Sequence, residues 1–132
     1  MAVIQSRDLP LTRVELEKIE RHVPSDSLVK FGIPGTIASV EAVAEKLSDV
    51  AIAHFACHGI QDQSNPLNSG LHLEDGWLRV SRIMKEKIPN GALAFLCACE
   101  TAMGVEKVPD EAMSLGACLL FSGFHRVIAT MW

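Results

Sequence analysis

Three stretches of the chain are almost continuously apolar, and they predict the centre of a sheet. They are residues 50–57 (VAIAHFAC), 92–97 (ALAFLC) and 126–131 (RVIATM). Strands that are covered on both faces lack the alternation of apolar and polar residues, and such strands are typical of parallel sheets. We therefore predict three buried strands in a mostly parallel sheet.

Other segments place apolar residues at helical spacing among charged ones. Helices are predicted at 12–21, at 36–47, from Ser81 to about Lys87 and at 111–121. Thr36 or Ser39 is placed to cap the second of these helices. Since buried strands alternate with helices, the pattern predicts an α/β fold in which helices cover the faces of the sheet.

Three shorter strands are predicted at 27–31, 71–73 and 77–80. The last two flank Glu74-Asp75-Gly76, and an Asp-Gly pair is a strong signal for a tight turn. Residues 61–69 are polar and are predicted to form a loop.

Composition and charge exclude several classes of function. The 132 residues suffice for one domain, and a hydrophobic fraction of 48% argues against disorder. A formal net charge of −4 without a basic cluster argues against direct nucleic-acid binding. No apolar run is long enough to span a membrane, and the first residues lack the pattern of a signal peptide. The four cysteines lie in apolar surroundings, which favours free thiols in the reducing cytoplasm.

The chemistry-bearing residues follow two of the predicted buried strands. His58 and Gly59 come after the first strand, and Cys97-Ala98-Cys99 end the second. Reactive groups of parallel sheets collect at the carboxyl ends of the strands, so neighbouring strands would bring an imidazole and a thiol together. A cysteine nucleophile, a histidine base and oxyanion donors suffice for peptide hydrolysis. The backbone amides of Gly59 and Cys99 are the predicted oxyanion donors.

Several segments resemble the signature blocks of CHAT domains, which belong to the caspase and separase group of cysteine peptidases. The two main blocks are residues 54–59 (HFACHG) and 96–104 (LCACETAMG). Shorter matches lie at 69–73 (SGLHL), 75–78 (DGWL), 110–111 (DE) and 128–132 (IATMW). The resemblance implies a caspase-like three-layer α/β/α sandwich with a mostly parallel central sheet. It also implies a cysteine endopeptidase without a cofactor, with His58 as the base and Cys99 as the nucleophile.

The resemblance further implies a polypeptide substrate and control by a partner protein or a neighbouring helical-repeat domain. The alternative is a catalytically silent protein-interaction module of the same fold. Family members usually continue beyond the tryptophan that is Trp132 here, so a C-terminally incomplete domain is expected. An incomplete sheet has an exposed edge that favours self-association.

Two acidic residues, Asp110 and Glu111, permit two interpretations. As a cap and a first-turn acid they would stabilise the N-terminus of the following helix. In the functional interpretation, one of them lines the S1 pocket and selects a basic P1 residue.

The remaining cysteines and histidines are predicted to be structural. Cys97 replaces the serine that the family usually has two places before its nucleophile, while Cys57 and Cys118 are small core residues. His54 is predicted to be a hydrogen-bonded core histidine. A zinc site is not expected, because the His and Cys spacings differ from ordinary zinc motifs and strand alternation splits the side chains between two faces. A nucleotide-binding Rossmann fold would need a glycine fingerprint that the sequence lacks.

Overall fold

The apolar stretches form strands and the amphipathic segments form helices in the computed structural model, which describes residues 1–5, 9–62, 64–97 and 115–129. Within these ranges the strands are β1 (Ala2–Ile4), β2 (Lys30–Phe31), β3 (Ile52–Ala56), β4 (His58–Ile60), β5 (Gly70–His72), β6 (Trp77–Arg79), β7 (Leu93–Leu96) and β8 (Val127–Ala129). The helices are α1 (Leu11–Glu20), α2 (Val40–Lys46), α3 (Val80–Ile83) and α4 (Leu115–Phe121).

Among the described residues, the main sheet has five strands in the order β2-β1-β3-β7-β8, and the pairings between them are parallel. The three predicted strands are β3, β7 and β8, so the mostly parallel sheet is confirmed. The predicted burial of β8 is wrong among the described residues, because β8 pairs on one side only and Ile128 is 55% exposed. Strand β1, which lies between β2 and β3, was not predicted. Its three residues are too few to show a periodicity, and they become a strand because β2 and β3 pair with them on both sides.

Alternation along the central strands divides their side chains between two apolar layers. Ala53 and Phe55 of β3 point into the larger core, together with Leu96 of β7. Helices α2, α3 and α4 also contribute to that core. On the opposite face, Leu16 of α1 packs with Ala56 in a smaller cluster. Helices therefore lie on both sides of the sheet, as expected for the caspase-like α/β/α sandwich.

A second, smaller sheet is antiparallel and has the order β4-β5-β6. The predicted strand at 50–57 ends at Ala56, and after Cys57 the chain starts β4. The strand pair β5–β6 and its turn are confirmed. The turn also orients α2, because Glu74 accepts a hydrogen bond from the Ala38 amide and Asp75 accepts one from the Val40 amide, both of 2.8 Å.

Several predicted boundaries differ from the observed ones. Helix α2 begins after Ser39, whose hydroxyl accepts a hydrogen bond from the Ala42 amide, so Ser39 and not Thr36 is the cap. Helix α3 starts at Val80 and has only one turn, and Ser81 lies inside it rather than capping it. The strand predicted at 27–31 is reduced to β2, since residues 25–27 form a 3₁₀ turn. Within the described ranges, no helix combines the length and apolar character needed to cross a bilayer.

Candidate functional site

Strands β3 and β7 are neighbours in the main sheet and run parallel. Phe55 pairs with Leu96, and the Cys97 amide extends the ladder by donating to the Phe55 carbonyl at 2.8 Å. The chain segments that follow the two strands therefore leave the sheet at the same edge. Carboxyl edges of this kind are where α/β folds bind ligands.

His58 is the first residue of β4 and lies next to this edge. It is half-buried and pairs with His72 of β5. The ring of His72 packs against Trp77, with the ring centroids 4.8 Å apart and the planes tilted by 45°. Gly59, the predicted oxyanion residue, is also half-buried and pairs with Leu71. The small antiparallel sheet thus holds both residues of the His-Gly motif.

A hydrogen-bonded loop follows β4, and Asp62 organises it. Its Oδ1 atom accepts from the amides of Ser64 and Asn65, at 2.9 and 3.0 Å, and from the Ser64 hydroxyl at 2.6 Å. These bonds, that of Ser64 foremost, lower the pKa of Asp62 to about 2. The carboxylate is ionised at neutral pH and accepts these hydrogen bonds, which hold the chain segment that follows β4 in place.

A cleft of about 390 Å³ opens beside His72. Its walls include Gln5 after β1, the turn 32–35 after β2, and Glu74. Gly32 has φ of 82°, and a Cβ atom there would overlap the carbonyl oxygen of Ile4. The cleft therefore depends on a glycine that lets two backbone segments approach each other closely.

The described cysteines are free thiols, and the surroundings of each raise its pKa. Cys57 and Cys118 are buried, as predicted, and burial raises the pKa of both, that of Cys57 to about 12. Burial also raises the pKa of Cys97, with further contributions from the nearby Glu15 carboxylate and from a hydrogen bond to it. A thiolate is the reactive form of cysteine, so none of the three described thiols is activated as a nucleophile.

His54 has a partner that the sequence did not reveal. Its Nε2 atom lies 3.0 Å from Oε2 of Glu15, a residue of α1, and its side chain is 16% exposed. Val14 is one of the apolar residues of this helix, but its side chain is exposed. The buried face instead contains Thr12 and Leu16. Glu15 lies three places after Thr12 and so shares that face, which is the signal that would have identified it.

The structure does not describe the other predicted site residues. Cys99, Asp110 and Glu111 lie outside the described residues, as does the first part of the predicted helix 111–121. The dyad, the second oxyanion donor and the S1 acid therefore stay predictions. The structure describes the predicted base His58, its neighbours and strand β7, which precedes Cys99 in the sequence.

Comparison with known proteins identifies the family of the chain. The family model of the CHAT domain matches residues 1–132. No curated protein matches the sequence at a significant level. The match covers the signature blocks around His58 and Cys99 as well as both sheets. The chain therefore belongs to the CHAT domain family, a caspase-like family.

Proposed function

We propose that this protein is a cysteine endopeptidase of the caspase type, with His58 as the base and Cys99 as the nucleophile. The observation that supports it best is the parallel pairing of β3 with β7. In the sequence His58 comes two residues after the end of the first of these strands and Cys99 three residues after the end of the second, which supports a shared site for both.

The proposed reaction needs only groups of the protein and water. His58 accepts the thiol proton of Cys99, and the thiolate attacks the carbonyl carbon of the scissile peptide. The amides of Gly59 and Cys99 stabilise the oxyanion of the tetrahedral intermediate. His58 then donates the proton to the leaving amine, and a water molecule hydrolyses the acyl-enzyme.

The proposed substrate is a polypeptide that lies along the cleft beside His72. An acidic S1 pocket with Asp110 or Glu111 would select arginine or lysine at P1, because an opposite charge compensates the desolvation of the basic side chain. A partner protein or helical-repeat domain is the proposed regulator, and the cytoplasm the proposed compartment. The free thiols of Cys57, Cys97 and Cys118 are compatible with that compartment.

Alkylation of the native protein near neutral pH tests the dyad. A substoichiometric thiol probe followed by peptide mapping should label Cys99 selectively, since only an activated thiol reacts quickly. Labelling of Cys99 should fall at least tenfold in His58→Ala, because the thiolate loses its counter-ion. In contrast, Cys57 and Cys118 should react only after unfolding, because both are buried.

Two controls make the result specific to the dyad. His125→Ala removes an exposed histidine and should leave the labelling of Cys99 unchanged. Cleavage of peptides with Arg, Lys or Asp at P1, with Cys99→Ala as the blank, then tests the substrate class. Equal rates for the three peptides would count against the acidic S1 pocket. A slow Cys99 that is insensitive to His58→Ala would contradict the peptidase and favour the silent interaction module.

A further inference from the structure

Three side chains with different donor atoms converge on the α1 face of the main sheet. Glu15, His54 and Cys97 come from α1, from β3 and from the position after β7. One oxygen, one nitrogen and one sulfur of these residues all lie within 4.8 Å of one another. We infer that Glu15, His54 and Cys97 form a binding site for a divalent transition-metal ion of the Zn²⁺ type.

The donor set selects the class of metal. Imidazole and thiolate are preferred ligands of Zn²⁺ and of the ions that replace it, whereas Ca²⁺ and Mg²⁺ require oxygen donors. Donors around one tetrahedral zinc ion are separated by roughly 3–4 Å, given bond lengths of about 2.0–2.3 Å. The 3.0 Å separation of the Glu15 and His54 atoms is already close to this range. The sulfur of Cys97 lies within 4.8 Å of both atoms.

Charge balance also favours a dication here. A Glu15 carboxylate and a Cys97 thiolate together neutralise a divalent ion, and His54 binds as a neutral ligand. A neutral assembly is what a half-buried pocket tolerates best, because an unbalanced charge is costly to desolvate. Among the described residues, Glu15 has no ion pair with a lysine or arginine that would compete for its charge.

The surroundings leave the site accessible on one side. Leu16 and Ala56 are buried next to it, and the ring of Phe95 lies 6.1 Å from the His54 ring. The Glu15 side chain is 39% exposed, so an ion can enter from solvent along this side. Three protein ligands and one open position are the usual arrangement of a non-structural zinc site, in which water supplies the fourth ligand.

Ordinary motif spacing does not reveal this set, because Glu15 is 39 positions before His54 and on a helix. The structure also separates Cys97 from Cys57. Cys57 points into the larger core on the opposite face, while Cys97 packs in the cluster with α1. The inference is independent of the proposed peptidase, since neither His58 nor Cys99 is a ligand.

Cobalt titration of the full chain, stripped of metal and free of an affinity tag, tests the site. Co²⁺ should bind at a ratio of one to one and produce a thiolate-to-cobalt charge-transfer band, which micromolar Zn²⁺ should remove by displacement. Cys97→Ser should abolish the band. Glu15→Gln and His54→Gln should weaken Zn²⁺ binding at least tenfold. In the unmodified chain Zn²⁺ should raise Tm, because an ion that binds only the folded state stabilises it.

Matched variants exclude other ligands. Glu17→Gln lies on the same helix and is exposed, Cys118→Ala removes a thiol of the other face, and His125→Gln removes an exposed imidazole. All three should bind Co²⁺ as the unmodified chain does, and so should Cys99→Ala, which removes the proposed nucleophile. Circular dichroism of the metal-free variants confirms that they fold. A band that persists in Cys97→Ser, a band lost in Cys99→Ala, or no binding at micromolar metal would overturn the inference.

Discussion

His58 and His72 lie opposite each other on the adjacent antiparallel strands β4 and β5. Directly opposed residues in such a pair have Cβ atoms about 4.5–5.5 Å apart, so their side chains share one face of the sheet. His72 is in turn held by the ring of Trp77. The proposed base thus shares one face of the small sheet with a histidine whose ring packs against Trp77.

Removal of the His72 ring should impair the reaction without removing a reacting group. In His72→Ala we expect kcat to fall about 10- to 100-fold with a small change in KM, because the side chain opposite the proposed base on the same face of the sheet is lost. His72→Phe retains a ring against Trp77 and should retain most of kcat. Peptide cleavage by both variants measures this. Equal loss in the two variants would show that His72 acts by its nitrogen atoms and not by packing.

The turn after β2 should tolerate a side chain at one glycine and not at the other. Gly32 and Gly35 both have positive φ, of 82° and 86°, but only at Gly32 does a Cβ atom meet backbone. Gly35→Ala should cost about 1–2 kcal/mol of unfolding free energy, the usual penalty of the left-handed conformation. Gly32→Ala should cost about 4 kcal/mol or more, because the backbone at Ile4 must also shift. Denaturant unfolding measures both, and similar losses would contradict the overlap with Ile4.

The acidic turn between β5 and β6 should stabilise α2 from a distance. Asp75→Ala removes the acceptor of the Val40 amide and should cost about 1 kcal/mol, whereas Asp75→Asn keeps an acceptor and should cost less. Asp49→Ala is the control, since its exposed pair with Lys46 is worth at most about 0.5 kcal/mol. Thermal unfolding ranks the three variants. If Asp75→Ala were as stable as Asp49→Ala, Asp75 would not act as a cap.

The loop after β4 should be insensitive to mild acid. The folded pKa of Asp62 is lowered to about 2, below its ordinary value of 3.8. Its contribution to stability is therefore complete above the ordinary value and is lost as the pH falls through the folded value. By NMR of the carboxyl carbon, Asp62 should still be ionised at pH 4. Ser64→Ala removes the largest cause and should raise the pKa, whereas Ser27→Ala, remote from the loop, should leave it unchanged.

Much of the fold follows from local pattern. The apolar runs around Phe55, Phe95 and Ile128 predicted β3, β7 and β8. For β3 and β7 the reason is that strands with neighbours on both sides and covered faces need no polar alternation, whereas β8 is apolar although Ile128 is exposed. Strands β1 and β4 were not predicted, and one physical reason applies to both. Each has only three residues and is stabilised by partners far along the chain, which local periodicity does not register.

The candidate site was accessible to sequence reasoning only in part. The His-Gly and Cys-Ala-Cys motifs, through their family resemblance, identified His58 and the carboxyl ends of β3 and β7 as the candidate site. The contact of Glu15 with His54 was missed, because it joins a helix to a strand and depends on how α1 rotates over the sheet. The pairing of His58 with His72 was missed as well, since it requires the short strand β4.

The bend at Cys57 places the proposed base in a different sheet from β7, the strand that precedes Cys99 in the sequence. His58 belongs to the small antiparallel sheet, whereas Cys99 follows a strand of the large parallel one in the sequence. Leu71 and Leu78 of the small sheet pack in the larger apolar core together with residues of the main sheet. A substitution at Leu71 or Leu78 would tilt the small sheet against the large one. A displacement of about 1 Å suffices to slow a reaction about 100-fold. In the proposed peptidase, side chains remote from the reacting groups would thereby set the alignment of the base with the nucleophile.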